Sequence, residues 1–85
     1  MTKRLVLIHT VPPLLSVFDR LAGEMLPGVE VLHVLDEPWL ELITSRGRLA
    51  AEDSRRLGEH VSLAHRIEAD AVLAVSYTHL TLPTN

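Results

Sequence analysis

The segment His9-Thr10-Val11-Pro12-Pro13 holds the side chains best suited to chemistry in this 85-residue chain. Thr10 offers a hydroxyl and His9 a ring nitrogen, and both groups can hydrogen-bond a small polar ligand. The competing role is structural: Thr10 caps a turn while Pro12 and Pro13 fix the start of a helix. Spacing alone leaves both open. The other histidines do not assemble into a metal site. His60 and His65 stand five residues apart, roughly 140° around a helix, and cannot share an ion from one face. His33 falls inside a strand and His79 inside the C-terminal tail, so no metal is expected. Arg46 and Arg48 could hold a phosphate or carboxylate, and a solvated loop explains them equally well. The chain has no cysteine, which excludes a disulfide, a thiolate zinc site and a thiol nucleophile within these residues. No Gly-x-Gly-x-x-Gly, phosphate loop or Gly-x-Ser-x-Gly occurs, so nucleotide binding and serine hydrolysis lack their usual parts.

The elements that must position His9 and Thr10 are legible as an alternation. Arg4 to His9 is a short, almost wholly apolar strand (Leu5, Val6, Leu7, Ile8), as found in the buried middle of a parallel sheet. From Leu14 to Leu26 the apolar residues Leu14, Phe18, Leu21 and Met25 fall on one helical stripe, which Pro27 and Gly28 end. Glu30 to Leu35 is a second strand, completing a βαβ unit with an expected right-handed crossover. Asp36, Glu37 and Pro38 close it. Trp39 to Ile43 reads as an apolar patch and Thr44 to Arg48 as loop. A second long helix is expected over Ala50 to Glu68, with Leu57, Val61 and Ala64 inward and Glu52 and Asp53 suited to its first turn. Ala71 to Ala74 begins a third strand. The expected fold is α/β: a three-layer open parallel sheet, β-α-β-α-β, with strand order 2-1-3. In such sheets ligands bind at the carboxyl ends of the strands, and helix N-termini offer free N–H groups to anions. The His9–Pro13 segment lies at such a place.

Composition narrows the function classes. Eight basic against 11 acidic residues leave a net charge of −3, with the basic residues dispersed, so no nucleic-acid partner is expected. An apolar content of 47% with 22% charged residues belongs to a folded chain. A chain this short is marginally stable without help and is expected to be an incomplete unit. No apolar run reaches the length of a membrane span, and the early run is broken by His9, Thr10, Pro12 and Pro13, which disfavours a signal peptide. A cytoplasmic protein is expected.

The last 15 residues carry no charge yet hold the only tyrosine and three of the six threonines. One reading extends the third strand, since Val75, Tyr77, His79 and Thr81 alternate. A second fits better: Val75 to Thr84 matches, over ten consecutive residues, the translation of DNA resembling a transposon-end sequencing adapter. Residues 75–85 are therefore expected to be a non-native tail, and residues 1–74 a partial N-terminal α/β lobe with Ala74 a hybrid codon.

Three segments then suggest a family: Leu7-Ile8-His9-Thr10-Val11-Pro12, Val31-Leu32-His33-Val34-Leu35-Asp36-Glu37, and Glu68-Ala69-Asp70-Ala71-Val72-Leu73. Together, in order and spacing, they resemble the N-terminal part of the aspartate/glutamate (hydantoin) racemase superfamily. The resemblance implies a cofactor-independent isomerase of two similar lobes with a small carboxylate substrate held between them. Two cysteines, one per lobe, would exchange the α-proton from opposite faces, because racemisation needs a base on one side and an acid on the other. It also implies that the loop after the first strand supplies carboxylate-binding donors, with Thr10 and His9 the matching positions. The first family cysteine would fall near position 76, where this chain has Ser76. A serine hydroxyl does not replace a thiolate as an α-proton base without a strong activator, so the chain as it stands is expected to be inactive. The alternatives are a standalone α/β binding or interaction module, forming a homo-oligomer that covers its open sheet edge, and a related α/β decarboxylase or hydrolase.

Overall fold

A computed structural model describes residues 2–75. In chain order the elements are β1 (Arg4–His9), α1 (Pro12–Met25), β2 (Glu30–Leu35), α2 (Glu37–Arg46), α3 (Ala51–Arg66) and β3 (Ala71–Ala74). The three strands form one open, wholly parallel sheet in the order β2-β1-β3, as the alternation of elements predicts. Arg4 pairs with Glu30 and His9 with Leu35 on one side of β1, while Leu5 to Ile8 pair with Ala71 to Ala74 on the other. The pairing extends past β3, where the Val75 N–H donates to the Ile8 carbonyl at 2.8 Å. The remainder of the expected tail, and the position-76 site with it, lies outside the described residues.

Side chains alternate across a strand, so β1 sends its residues to two different helical layers. Val6 and Ile8 pack with Trp39, Ile43 and Ala64 from α2 and α3, with Leu32, Val34 and Leu57 around them. Leu7 and His9 lie on the opposite face, where His9 meets Phe18 of α1. The two layers are closed unequally. No residue of α1 is buried, and Met25 on its expected inward stripe is 74% exposed. Leu5, Leu7, Phe18, Leu21, Met25 and Leu73 therefore line an open apolar groove between α1 and β3.

Of the apolar patch and loop expected over Trp39 to Arg48, all but Gly47 and Arg48 are in fact part of helix α2. Asp36 caps it by accepting from the Trp39 N–H at 3.3 Å, Pro38 sits in its first turn where a missing N–H costs nothing, and Arg46 stands in its last turn. Gly47 ends it with φ 76°, its N–H returning to the Ile43 carbonyl at 2.9 Å. Two further expectations shift. Helix α1 starts at Pro12, two residues before the expected Leu14. In α3 the inward line runs Asp53, Leu57, His60, Ala64, because two polar residues on it find partners across the helix pair; Val61, expected inward, is exposed.

Candidate functional site

Burial of β1 carries His9 and Thr10 into the protein. They are 0% and 2% exposed, and the Thr10 hydroxyl and His9 Nδ1 are both buried without a hydrogen-bond partner among the described residues. Buried polar atoms are nearly always bonded, because leaving one unpaired costs roughly 1–3 kcal/mol. Two such atoms fall on successive residues, His9 and Thr10, at the carboxyl end of the central strand, the end at which ligands bind in open α/β sheets.

Local geometry separates the two roles the sequence left open for Thr10. The N-cap of α1 is Val11, an extended residue that makes no side-chain cap. Thr10 is therefore not the helix cap. The expected free N–H groups at the helix start are also missing: Pro12 and Pro13 have none, and the Leu14 N–H donates to the Val11 carbonyl at 3.1 Å. The helix start contributes its dipole without those donors, and the unpartnered Thr10 hydroxyl lies two residues before it.

His9 belongs to a chain of side chains that no sequence motif announces. His9 Nε2 lies 2.8 Å from His33 Nδ1, and His33 Nε2 lies 2.8 Å from Asp19 Oδ1. His33 comes from β2 beside His9, on the same sheet face, and Asp19 from α1 above them. Burial, reinforced by the neighbouring His33, lowers the pKa of His9 below its ordinary 6.5. His9 is consequently a neutral ring at neutral pH.

The other conspicuous polar groups are structural. Asp36 accepts from Arg56 Nε and Nη2 at 2.7 Å each, and lies 2.7 Å from His60 Nε2. The Arg56 guanidinium, against the opposing effect of burial and with help from His60, lowers the Asp36 pKa to about 2. Asp53 accepts from Trp39 Nε1 at 2.8 Å and from both terminal nitrogens of Arg46 at 2.8 and 2.9 Å, and it also receives the Ala50 N–H at 2.6 Å. Those bonds, with Arg46 foremost, hold its carboxyl far below the usual range. Arg46 is thus engaged with Asp53 and not offered to a phosphate, while Arg48 is exposed and lends its carbonyl to Arg46. No group of three or more metal-ligating side chains occurs among the described residues. No helix among them is long and apolar enough to cross a membrane.

The fold and site together define a parallel α/β unit with unsatisfied polar atoms at the carboxyl end of its central strand. Comparison with known protein families, with curated proteins and with solved structures found no match to the chain.

Proposed function

We propose that this chain is the carboxylate-holding N-terminal lobe of a cofactor-independent, racemase-like isomerase that acts on a small carboxylic acid. One observation carries the reading: the buried, unpartnered Thr10 hydroxyl at the carboxyl end of β1. The resemblance of three segments to the aspartate/glutamate racemase superfamily agrees with it in fold and in the position of this residue. In the complete reaction a base removes the α-proton and an acid on the opposite face returns one. The carbanion formed between the two steps is delocalised into the substrate carboxylate, which the Thr10 hydroxyl would stabilise. No cysteine is present to serve as either base or acid. The chain alone therefore binds the substrate without exchanging its α-proton.

The test is an NMR titration of the full chain with L-aspartate, L-glutamate, their D-forms and succinate. Saturable binding with Kd on the order of 1 mM, focused on the amides of His9 to Val11, is expected. Thr10→Val should abolish it and Thr10→Ser preserve it. No saturable binding, or equal binding by Thr10→Val, contradicts the reading.

A second reading, a standalone interaction module, is favoured by the apolar surface of Leu73 and Met25, 51% and 74% exposed. It predicts self-association that does not respond to carboxylates.

A further inference from the structure

We propose that His9 and His33 form an acid-sensitive latch, which holds helix α1 against the sheet and releases it when both rings are protonated. The latch is independent of the carboxylate-binding reading.

The geometry limits the charge the pair can carry. His9 Nε2 and His33 Nδ1 lie 2.8 Å apart, which leaves room for one proton between them and not for two. Whichever ring supplies that proton, the bonded pair holds at most three protons on its four nitrogens, one positive charge in all. A second charge sets one N–H against another and breaks the bond. Burial, reinforced by His33, holds the His9 pKa below its ordinary 6.5, in keeping with that limit. Asp19 of α1, 2.8 Å from His33 Nε2, is the only charged side chain bonded to either ring among the described residues. Arg20 and Glu24 of α1 are exposed and bond to neither. Leu7 of β1, Leu73 of β3 and Phe18 of α1, on the same side of the sheet, are uncharged, as are Val31 and Leu35 of β2 by strand alternation. Nothing there offsets a charge on His9.

Helix α1 depends on this pair. It has no buried residue, and the Asp19–His33 bond is the only hydrogen bond it makes to the sheet among the described residues. Phe18 meets the His9 ring with centroids 6.4 Å apart, so a displaced ring loses that contact too. Helices α2 and α3, by contrast, bury Trp39, Ile43 and Ala64 in the opposite layer. Elements with few buried contacts open first, so α1 is the one a broken pair releases. Thr10 is joined to α1 through Val11 alone, and release of α1 loosens the end of β1 that carries the candidate site.

A base whose folded pKa is depressed stabilises the closed form above its ordinary pKa, and that contribution is lost as pH falls from 6.5 toward the lowered value. Each extra proton bound on opening raises the opening equilibrium by up to about tenfold per pH unit. Amide hydrogen exchange followed by NMR on the full chain, corrected for the intrinsic exchange rate, measures this between about pH 7.5 and pH 5, above the range of ordinary carboxylates. The amides of Thr10, Val11 and α1 are expected to lose protection on the order of tenfold across that range, while those of α3 stay within about twofold. His9→Gln leaves one titrating ring in the pair and should hold α1 protection within about twofold over the same range. His33→Gln, at a side chain 15% exposed, should move the loss to lower pH, because a charged His9 then meets an amide oxygen in place of a second cation. Constant α1 protection in the parent chain, equal loss in α1 and α3, or the parent's response retained in His9→Gln overturns the latch. Should His9→Gln fail to fold, His33→Gln decides alone: a pH response identical to the parent's overturns the latch, and a response moved to lower pH supports it.

Discussion

Replacing Thr10 by valine should make the protein more stable, the reverse of the usual result at a buried position. The hydroxyl is 2% exposed and has no partner among the described residues, so folding strips it of water without replacing the lost hydrogen bond. Protein measurements place that penalty at about 1–3 kcal/mol. Valine keeps the branched shape, fills the same space and has nothing to desolvate. A gain of about 1–2 kcal/mol is therefore expected, which for a domain of this size raises Tm by roughly 4–16 °C. Thr10→Ser separates shape from polarity: it keeps the orphaned hydroxyl, loses a methyl group and should cost about 1 kcal/mol. Thermal melts and urea titrations followed by circular dichroism measure both. A Thr10→Val chain less stable than its parent would show that the hydroxyl is bonded in the free protein, and the inference of an open ligand position would fall. The expected pairing of raised stability with lost binding is the signature of a residue kept for function at a cost to the fold.

Four other outcomes follow from the same structure. A carboxyl whose folded pKa is depressed stabilises the fold above its unfolded pKa and loses that contribution as pH falls through the folded value. Asp36, lowered from 3.8 to about 2, should thus supply about 2 kcal/mol near neutral pH, with about half gone by about pH 3, and the stability gap between parent and Asp36→Asn should shrink accordingly in acid titrations. Ile43→Ala, at a residue of α2 that is 3% exposed, should cost about 2–4 kcal/mol in urea unfolding. Gly47→Ala should cost about 1 kcal/mol because φ there is 76°, whereas Glu68→Gly, relieving a side chain at φ 63°, should be neutral or stabilising; melts of the two variants should move apart. Lysine at Val72 and Leu73, both exposed on the edge strand β3, should reduce concentration-dependent association in sedimentation velocity.

The sheet was legible because its signal is short-range and redundant. Leu5 to Ile8 and Val31 to Leu35 are apolar runs of strand length, the helices between them carry periodic stripes, and the 2-1-3 order follows from two crossovers on one central strand. Helix α2 was hidden because its signals resemble those of a loop. Pro38 reads as a strand stop and Thr44-Ser45-Arg46-Gly47 as turn chemistry, although Asp36, Pro38 and Gly47 also spell cap, first turn and stop. The burial of Trp39 depends on Asp53, fourteen residues on, which takes its indole proton. Val61 was misplaced for the same reason: apolar periodicity counts Asp53 and His60 as surface residues, while tertiary pairing turns both inward. At the site, the His9–Pro13 segment stood out through its position after the first strand. The His9–His33–Asp19 chain did not, since it joins three elements whose residues meet only once β1 and β2 pair in register with α1 above them.

The most direct test of ligand binding at the end of β1 is a crystal structure of the chain soaked with L-glutamate. A carboxylate oxygen within about 3 Å of Thr10 Oγ1 is the expected result. A Thr10 hydroxyl satisfied by a protein group, with glutamate bound elsewhere or not at all, would contradict it.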